Sequence, residues 1–361
     1  MPQYLEIGSE SFLTKVAAFD LDNTLIRTKS GKVLPTNYDD WCLRLNVFEK
    51  LQSLKNKYKI VIITNQSESK DVTLLTTKIK NIIEALKIPD IKCLVSIGSG
   101  HIYRKPCTGL WSLLKYKQIE GSFYVGDAAG RQATASRKKD FSGSDYKFAL
   151  NLGIKFYLPE TFFKTTDANI DIIPIFNESR NGPFDILKDE VFDFNVIKCS
   201  DAQEVLVLIG PQGSGKSTFS EKFVECFKNY VIVSKDTFKT KSDSMFSKYW
   251  SEGRSIILDN TNSTKEVRSK MTSSLKIDKQ NIRAVFFDLP KQIVFHLNAY
   301  RSLTSDKHIP EIAIHKYYKH LERPTDSEFS EIFIVKNIVI DVNNKLLNSY
   351  LPEPRGSSSD L

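Results

Sequence analysis

The chain has 361 residues, 41% hydrophobic and 26% charged, an ordinary globular balance with enough length for two domains that each bury a core. No apolar run approaches the ~18 residues that a membrane span needs, and Glu6 and Glu10 precede any apolar run that could serve as a signal peptide. The sequence therefore argues against a membrane partner. Net charge is +8, and it is uneven: residues 1–160 hold 24 Lys+Arg against 16 Asp+Glu, while the remainder holds 27 against 27. A basic half points to a polyanionic partner, although solvated lysines give the same excess. Five cysteines, odd in number and without a C-x-x-C pair, fit a reducing compartment.

In chain order, Lys15-Val-Ala-Ala-Phe19 is a short apolar strand that delivers Asp20-Leu-Asp22-Asn-Thr24 at its C-terminal end, where open α/β sheets carry their chemistry. Two carboxylates two residues apart can share a metal while one attacks and the other handles protons. An acidic turn capped by Thr24 would read the same way. Ile60–Ile63 then runs into Thr64-Asn65-Gln66, a hydroxyl and two amides able to hold phosphate oxygens. Arg104-Lys105-Pro106 puts two cations after a glycine-bearing turn, and Phe123–Gly126 delivers Asp127 at a third strand end. Nucleophile, hydroxyl, cation and metal carboxylate in that order are the equipment for phosphoryl transfer through an aspartyl-phosphate.

Residues 166–200 lack sustained periodicity and read as an interdomain linker, with Ile172, Ile173, Ile175, Phe176, Phe184 and Phe192 available to pack across both domains. Val205–Ile209 is a buried strand feeding Gly210-Pro-Gln-Gly213-Ser214-Gly215-Lys216-Ser217-Thr218. In G-x-x-x-x-G-K-[ST] the backbone N–H groups cradle nucleotide phosphates, the lysine reaches the outer phosphates and the hydroxyl reaches Mg²⁺. Phe219, Phe223 and Phe227 recur at helical spacing behind it. Tyr230–Val233 ends at Lys235-Asp236-Thr237, where a carboxylate could take the proton of an attacking hydroxyl. Ser255–Leu258 ends at Asp259, placed to assist Mg²⁺ or substrate. Either acid could instead cap a helix.

The four N-terminal motifs, Asp20/Asp22, Thr64, Lys105 and Asp127, resemble those of the haloacid dehalogenase (HAD) superfamily of phosphatases. The insertion after Asp127, running through Arg137-Lys-Lys139 to Asp145, resembles the polynucleotide kinase 3′-phosphatase family, as do Lys105-Pro106 with Thr108-Gly-Leu-Trp111, and Ser30-Gly-Lys with Trp41. In the C-terminal half, Lys235-Asp-Thr, Leu258-Asp-Asn-Thr-Asn262, Asn298-Ala-Tyr-Arg301 and the stretch from His308 to Thr325 resemble that family's kinase domain. Departures are Asn23 and Ala299, where mammalian members carry Gly and Arg, and Lys235, where relatives carry Arg.

By this resemblance the fold is α/β with largely parallel sheets: a HAD-like phosphatase over 1–165, the linker, a P-loop kinase over 201–345 and a polar tail over 346–361. Asp20 would be the nucleophile and Asp22 the general acid/base. Thr64 and Lys105 would steady the phosphate, and Asp20, Asp22 and Asp127 would hold Mg²⁺, with Asp145 as a further acid. Asp236 would be the kinase base, Lys216 and Ser217 would serve ATP-Mg²⁺, and Arg301 would be a lid arginine. Arg104, Arg137, Lys138 and Lys139 would lie along a DNA backbone. The implied work is repair of strand ends in the nucleus, on 3′-phosphates and 5′-hydroxyls of DNA or RNA. About fifteen residues precede the first catalytic strand, so scaffold recruitment through a forkhead-associated domain is not expected. The competing readings are a fused small-molecule phosphatase/kinase and a non-catalytic end-binding protein.

Overall fold

The computed structural model describes residues 2–32, 35–67, 71–135, 137–167, 182–274, 277–305, 307 and 309–352. The chain forms two compact units, Met1–Gly182 together with Ser349–Leu361, and Pro183–Asn348.

The first unit holds β1 (Tyr4–Gly8), β2 (Lys15–Phe19), the two-residue strands β3 (Ile26–Arg27) and β4 (Cys42–Leu43), β5 (Lys59–Gln66), β6 (Ile91–Ile97), β7 (Gln118–Val125) and β8 (Lys155–Tyr157). Six of them make one sheet in the order β1-β6-β5-β2-β7-β8, parallel except where β1 pairs β6. Alternation splits β2 between two cores: Ala17 and Phe19 face one side with Ile60, Ile62 and Phe123, while Val16 and Ala18 face the other with Val61, Ile63 and Tyr124. A sheet buried on both faces demands such apolar runs. It also leaves only the strand ends for polar chemistry, and β2 and β5 stand at the centre.

β3 and β4 pair as a short antiparallel ribbon. The loop joining them closes on one carboxylate: Asp40 accepts from the backbone N–H and hydroxyl of both Ser30 and Thr36 at 2.7–3.0 Å.

The second unit holds β9 (Val205–Ile209), β10 (Tyr230–Val233), β11 (Ser255–Asp259), β12 (Ile282–Phe287) and β13 (Glu331–Val335). Its sheet runs β10-β11-β9-β12-β13 and is wholly parallel. The helix Lys216–Cys226 follows β9 and buries Phe219 and Phe223. Phe184 and Phe192, expected to pack across both domains, instead belong to the second unit, against His296 and Phe194 respectively, each pair with ring centroids 5.0 Å apart. Ile172, Ile173, Ile175 and Phe176 lie outside the described residues.

The C-terminal segment departs from the expected polar tail. After Asn348 the chain belongs to the first unit again. The Asn151 carboxamide donates to Tyr350 O at 2.8 Å and accepts from Tyr350 N at 2.8 Å, while also donating to Pro106 O at 2.8 Å. Lys147 Nζ lies 5.5 Å from the Tyr350 ring centroid, and Leu351 is 4% exposed. Two apolar side chains in an otherwise polar stretch thus dock on the first unit, with Asn151 satisfying both backbone groups of Tyr350.

Each net hydrogen bond contributes about 1 kcal/mol. Asn151→Ala removes three of them and should therefore destabilise the first unit by about 3 kcal/mol, and deletion of residues 349–361 by more. Urea unfolding followed by tryptophan fluorescence, to which Trp111 contributes from the core face behind the helix Ser144–Leu152, checks this; an unshifted midpoint for both variants would remove the anchor.

Candidate active sites

In the first unit, β2 and β7 end side by side and present Asp20 and Asp127. The helix Ser144–Leu152 brings Asp145 in its first turn. One carboxylate oxygen from each of the three lies within 4.8 Å of the others. Gly126 makes this closeness possible, since a Cβ there would meet the Asp145 carboxylate at 2.4 Å. Ala128 N donates to Asp145 Oδ2 at 3.0 Å, and Asp145 N donates to Ala128 O at 3.0 Å, which locks the helix start to the end of β7.

Lys105 is 3% exposed and its Nζ sits 2.7–2.8 Å from Asp20 Oδ1, Asp145 Oδ1, the Ile63 carbonyl and the Tyr124 hydroxyl. One ammonium cannot balance three acids. Burial, opposed by Lys105 and reinforced by Asp145 and Asp127, holds the Asp20 carboxyl well above the usual carboxylate range. Burial together with Asp145 pushes Asp127 up to about 7. This charge deficit is the observation that fits a divalent cation, whose arrival restores the ionised forms.

The sequence expectations meet this geometry unevenly. Thr64 is buried beside the site and accepts from Gln66 Nε2 at 3.0 Å. The Asp22 carboxylate is not one of the three clustered acids; Asp145 is. Asp22 is held apart by Gln66 Nε2 at 2.7 Å and by Lys78 at 3.5 Å, a placement that suits a proton carrier better than a metal ligand. The two amides expected to hold phosphate oxygens are otherwise engaged, because Asn65 brackets the backbone of Lys105 at 2.9 and 3.1 Å while Gln66 bridges Thr64 and Asp22. Arg104 donates to Gln66 O and Gly98 O at 3.1 and 2.6 Å, which makes it a brace between loops. Arg137 donates to Gln132 O at 2.7 Å and turns Nε inward, whereas Lys138 is exposed.

Tyr124 and Lys78 were missed by sequence reasoning. A tyrosine on a fully buried strand needs a partner for its hydroxyl, and a lysine beside Leu75, Ile79 and Ile82 on one stripe of the helix Val72–Leu86 needs an anion.

In the second unit, Gly210 leads from β9 into the phosphate loop, and a Cβ there would strike Phe287 Cβ at 2.8 Å and Ser214 Oγ at 2.9 Å. Gly213 and Gly215 take φ of +82° and +95°, which side chains resist. Among the described residues, Ser214 Oγ is buried without a partner, as is Gln212 Oε1. Lys216 Nζ folds back on Gly210 O and Pro211 O at 2.8 and 2.7 Å. Ser217 Oγ donates to Asp259 Oδ2 at 2.8 Å, which brings hydroxyl and carboxylate together where a Mg²⁺–nucleotide would need them.

Thr218, exposed, continues the helix. Asp236 is exposed on the short helix Lys235–Phe238, and the cap there is Ser234, which accepts from Thr237 N, so Asp236 is not spent on capping. Arg301 is half-buried in the last turn of the helix Lys291–Thr304. Lys216, Ser217, Asp236, Asp259 and Arg301 all line one cavity of about 1340 Å³. Asn298 fixes the return of that helix by pairing with both backbone groups of Ile309 at 2.9 and 3.2 Å; His308 lies outside the described residues.

A nucleophile-type carboxylate on a central strand end with a buried lysine and an acid cluster in one unit, and a phosphate loop in the other, define a protein with a HAD-type phosphatase unit and a P-loop kinase unit. The family model described as polynucleotide kinase 3 phosphatase matches residues 15–163, and one described as an AAA domain matches 239–324. The bifunctional polynucleotide phosphatase/kinase of Schizosaccharomyces pombe is 33% identical over 328 residues, 87% of this chain and 77% of that protein. Polynucleotide 3′-phosphatase ZDP of Arabidopsis thaliana is 40% identical over 174 residues, 41% of this chain and 24% of its own. The polynucleotide 3′-phosphatase of Saccharomyces cerevisiae is 28% identical over 214 residues, 41% of this chain and 87% of its own. The chain belongs to the family of bifunctional polynucleotide phosphatase/kinases.

Burial lowers Lys216 to about 8, with Asp259 and Asp236 pulling the other way. Between about 8 and the ordinary 10.5 the folded chain has released a proton that the unfolded chain keeps, so the nucleotide-free unit gains stability as pH rises through that window. Polyphosphate beside Nζ restores the charged form. ATP binding at pH 9 should therefore take up on the order of 0.5–1 proton and close to none at pH 7, measured by titration calorimetry in buffers of different ionisation enthalpy. Uptake that does not change with pH would contradict the arrangement.

Proposed function

We propose that the protein repairs strand ends of nucleic acid, removing 3′-phosphates at the Asp20 site and phosphorylating 5′-hydroxyls at the Lys216 site. One observation carries the phosphatase half: Asp20 Oδ1 is paired at 2.7 Å with a buried lysine that is itself anchored on a second acid, which aims the carboxylate and leaves one oxygen to attack. That oxygen forms a bond to phosphorus as the P–O3′ bond breaks, and Asp22 gives its proton to the departing 3′-oxygen. Water then attacks the aspartyl-phosphate, passes its proton to Asp22 and releases inorganic phosphate, restoring Asp20. Asp20, Asp127 and Asp145 fit Mg²⁺, which when bound supplies the positive charge that ionises Asp20 and offsets the charge of the phosphate.

In the kinase half, Asp236 accepts the proton of the attacking 5′-hydroxyl while the bond to the γ-phosphorus forms and the bond to the β-phosphate oxygen breaks. Lys216 and Arg301 balance the charge on the moving phosphoryl group. Ser217 and Asp259 fit Mg²⁺. The intact acids and bases argue against a non-catalytic end-binding protein, and the polynucleotide relatives argue against a small-molecule enzyme. DNA breaks, met in the nucleus, are the substrate this reading favours. The basic excess confined to residues 1–160 supports a strand over a lone phosphate.

The two chemistries rest on different sheets and should separate. Asp20→Asn should abolish phosphate release from a 3′-phosphorylated oligonucleotide while ATP-dependent 5′ labelling persists, and Lys216→Ala should do the reverse; loss of both activities from either change sinks the two-site assignment. Asp236→Asn should lower kinase turnover ~10²–10⁴-fold with little change in ATP affinity.

A further inference from the structure

Phe141 is 94% exposed, more than any other large hydrophobic side chain among the described residues, and no described ring pairs with it. It does not sit on a loose tip. On one side, Asp140 Oδ2 accepts from Ala129 N, Arg131 N and Arg131 Nε at 2.8–3.2 Å, and Asp140 N donates to Arg131 O at 3.0 Å. On the other, Ser142 O accepts from Gly130 N at 2.9 Å. Arg131 is pinned in turn by Glu160.

Both neighbours of Phe141 are thus tied to the stretch leaving Asp127, and the ring is held outward by a braced turn. Four residues further on is Asp145, so the Phe141 backbone lies within about 14 Å of the acid cluster. The same loop carries Lys138, exposed, and Lys139.

A rigid exposed aromatic beside cations at a phosphate site is the combination that single strands use: cations follow the backbone and a ring stacks a base, whatever its identity. We propose that Phe141 is a stacking platform for a nucleobase at the 3′ end of the strand whose phosphate Asp20 attacks. The proposal rests on the 3′-phosphatase reading and deepens it: recognition of the end is by base stacking, tolerant of sequence, and demands an unpaired terminal base. Phe12 is the natural control. It is 83% exposed and its ring is 5.8 Å from Tyr116, yet the two precede β2 and β7 respectively, at the N-terminal ends of strands whose C-terminal ends carry Asp20 and Asp127.

The test uses the full chain with Mg²⁺ and 3′-phosphorylated single-stranded oligonucleotides carrying either ordinary or abasic residues at the last two positions. Base stacking is worth about 1–3 kcal/mol, so Phe141→Ala should raise KM about 5- to 150-fold on the ordinary oligonucleotide with kcat little changed. Phe141→Trp should keep the low KM, Phe141→Leu should not restore it, and Phe12→Ala should have no effect. On the abasic oligonucleotide Phe141→Ala and the unaltered chain should coincide. Equal KM values on the ordinary oligonucleotide, or full rescue by leucine, would overturn stacking while leaving the phosphatase reading intact. An unaltered chain that releases no phosphate from any oligonucleotide would overturn that reading, and stacking with it.

Discussion

The phosphatase unit depends on one buried ammonium. Lys105 Nζ touches Asp20, Asp145, the carbonyl of β5 at Ile63 and the hydroxyl of Tyr124 on β7, so a single charge ties the ends of the central strands to the helix that follows them. Removing an ion's partner inside a protein leaves an uncompensated charge that costs several kcal/mol. Replacing Lys105 would therefore leave Asp20 and Asp145 close together with nothing between them. The same ammonium explains why neighbouring polar groups serve structure: Asn65 is consumed in holding the Lys105 backbone, and Arg104 in holding the loops around it.

The kinase unit solves a related problem differently. The buried lysine of its phosphate loop, Lys216, has no carboxylate in contact among the described residues and rests on two carbonyl oxygens of its own loop, a weakly satisfied state that a polyphosphate can outcompete. In both units the apolar strands leave chemistry nowhere to go but the strand ends. Acids are kept within reach and held short of positive charge, so that each site is completed by a cation and a phosphate.

Much of this was legible in the sequence, and for a physical reason: Lys15–Phe19, Phe123–Val125 and Val205–Ile209 are apolar runs that stop abruptly at an acid or a glycine loop, and such a stop marks a strand end. That stop drew attention to Asp20 and Asp127, and the phosphate loop added its own spacing of glycines, lysine and serine. Asp145 needed the resemblance, because seventeen intervening residues hide its closeness to Asp127. What could not be read were pairings fixed only by the fold: Lys78 on Asp22, Gln66 bridging Thr64 and Asp22, and Arg104 turned onto backbone. The end of the chain misled in the same way, since Tyr350 and Leu351 look like strays in a polar tail until Asn151 is seen to receive them. Composition reports what a segment is made of, not which surface already has a place for it.

The most direct measurement of the central claim is to trap the phosphoenzyme. A 3′-[³²P]phosphorylated oligonucleotide is mixed with the Mg²⁺-loaded chain, quenched in acid within milliseconds and mapped by peptide. The arrangement around Lys105 predicts acid-stable, hydroxylamine-labile label on the peptide bearing Asp20, absent from Asp20→Asn. Label on any other residue, or full turnover in which phosphate is released with no labelled peptide at any quench time, would contradict it.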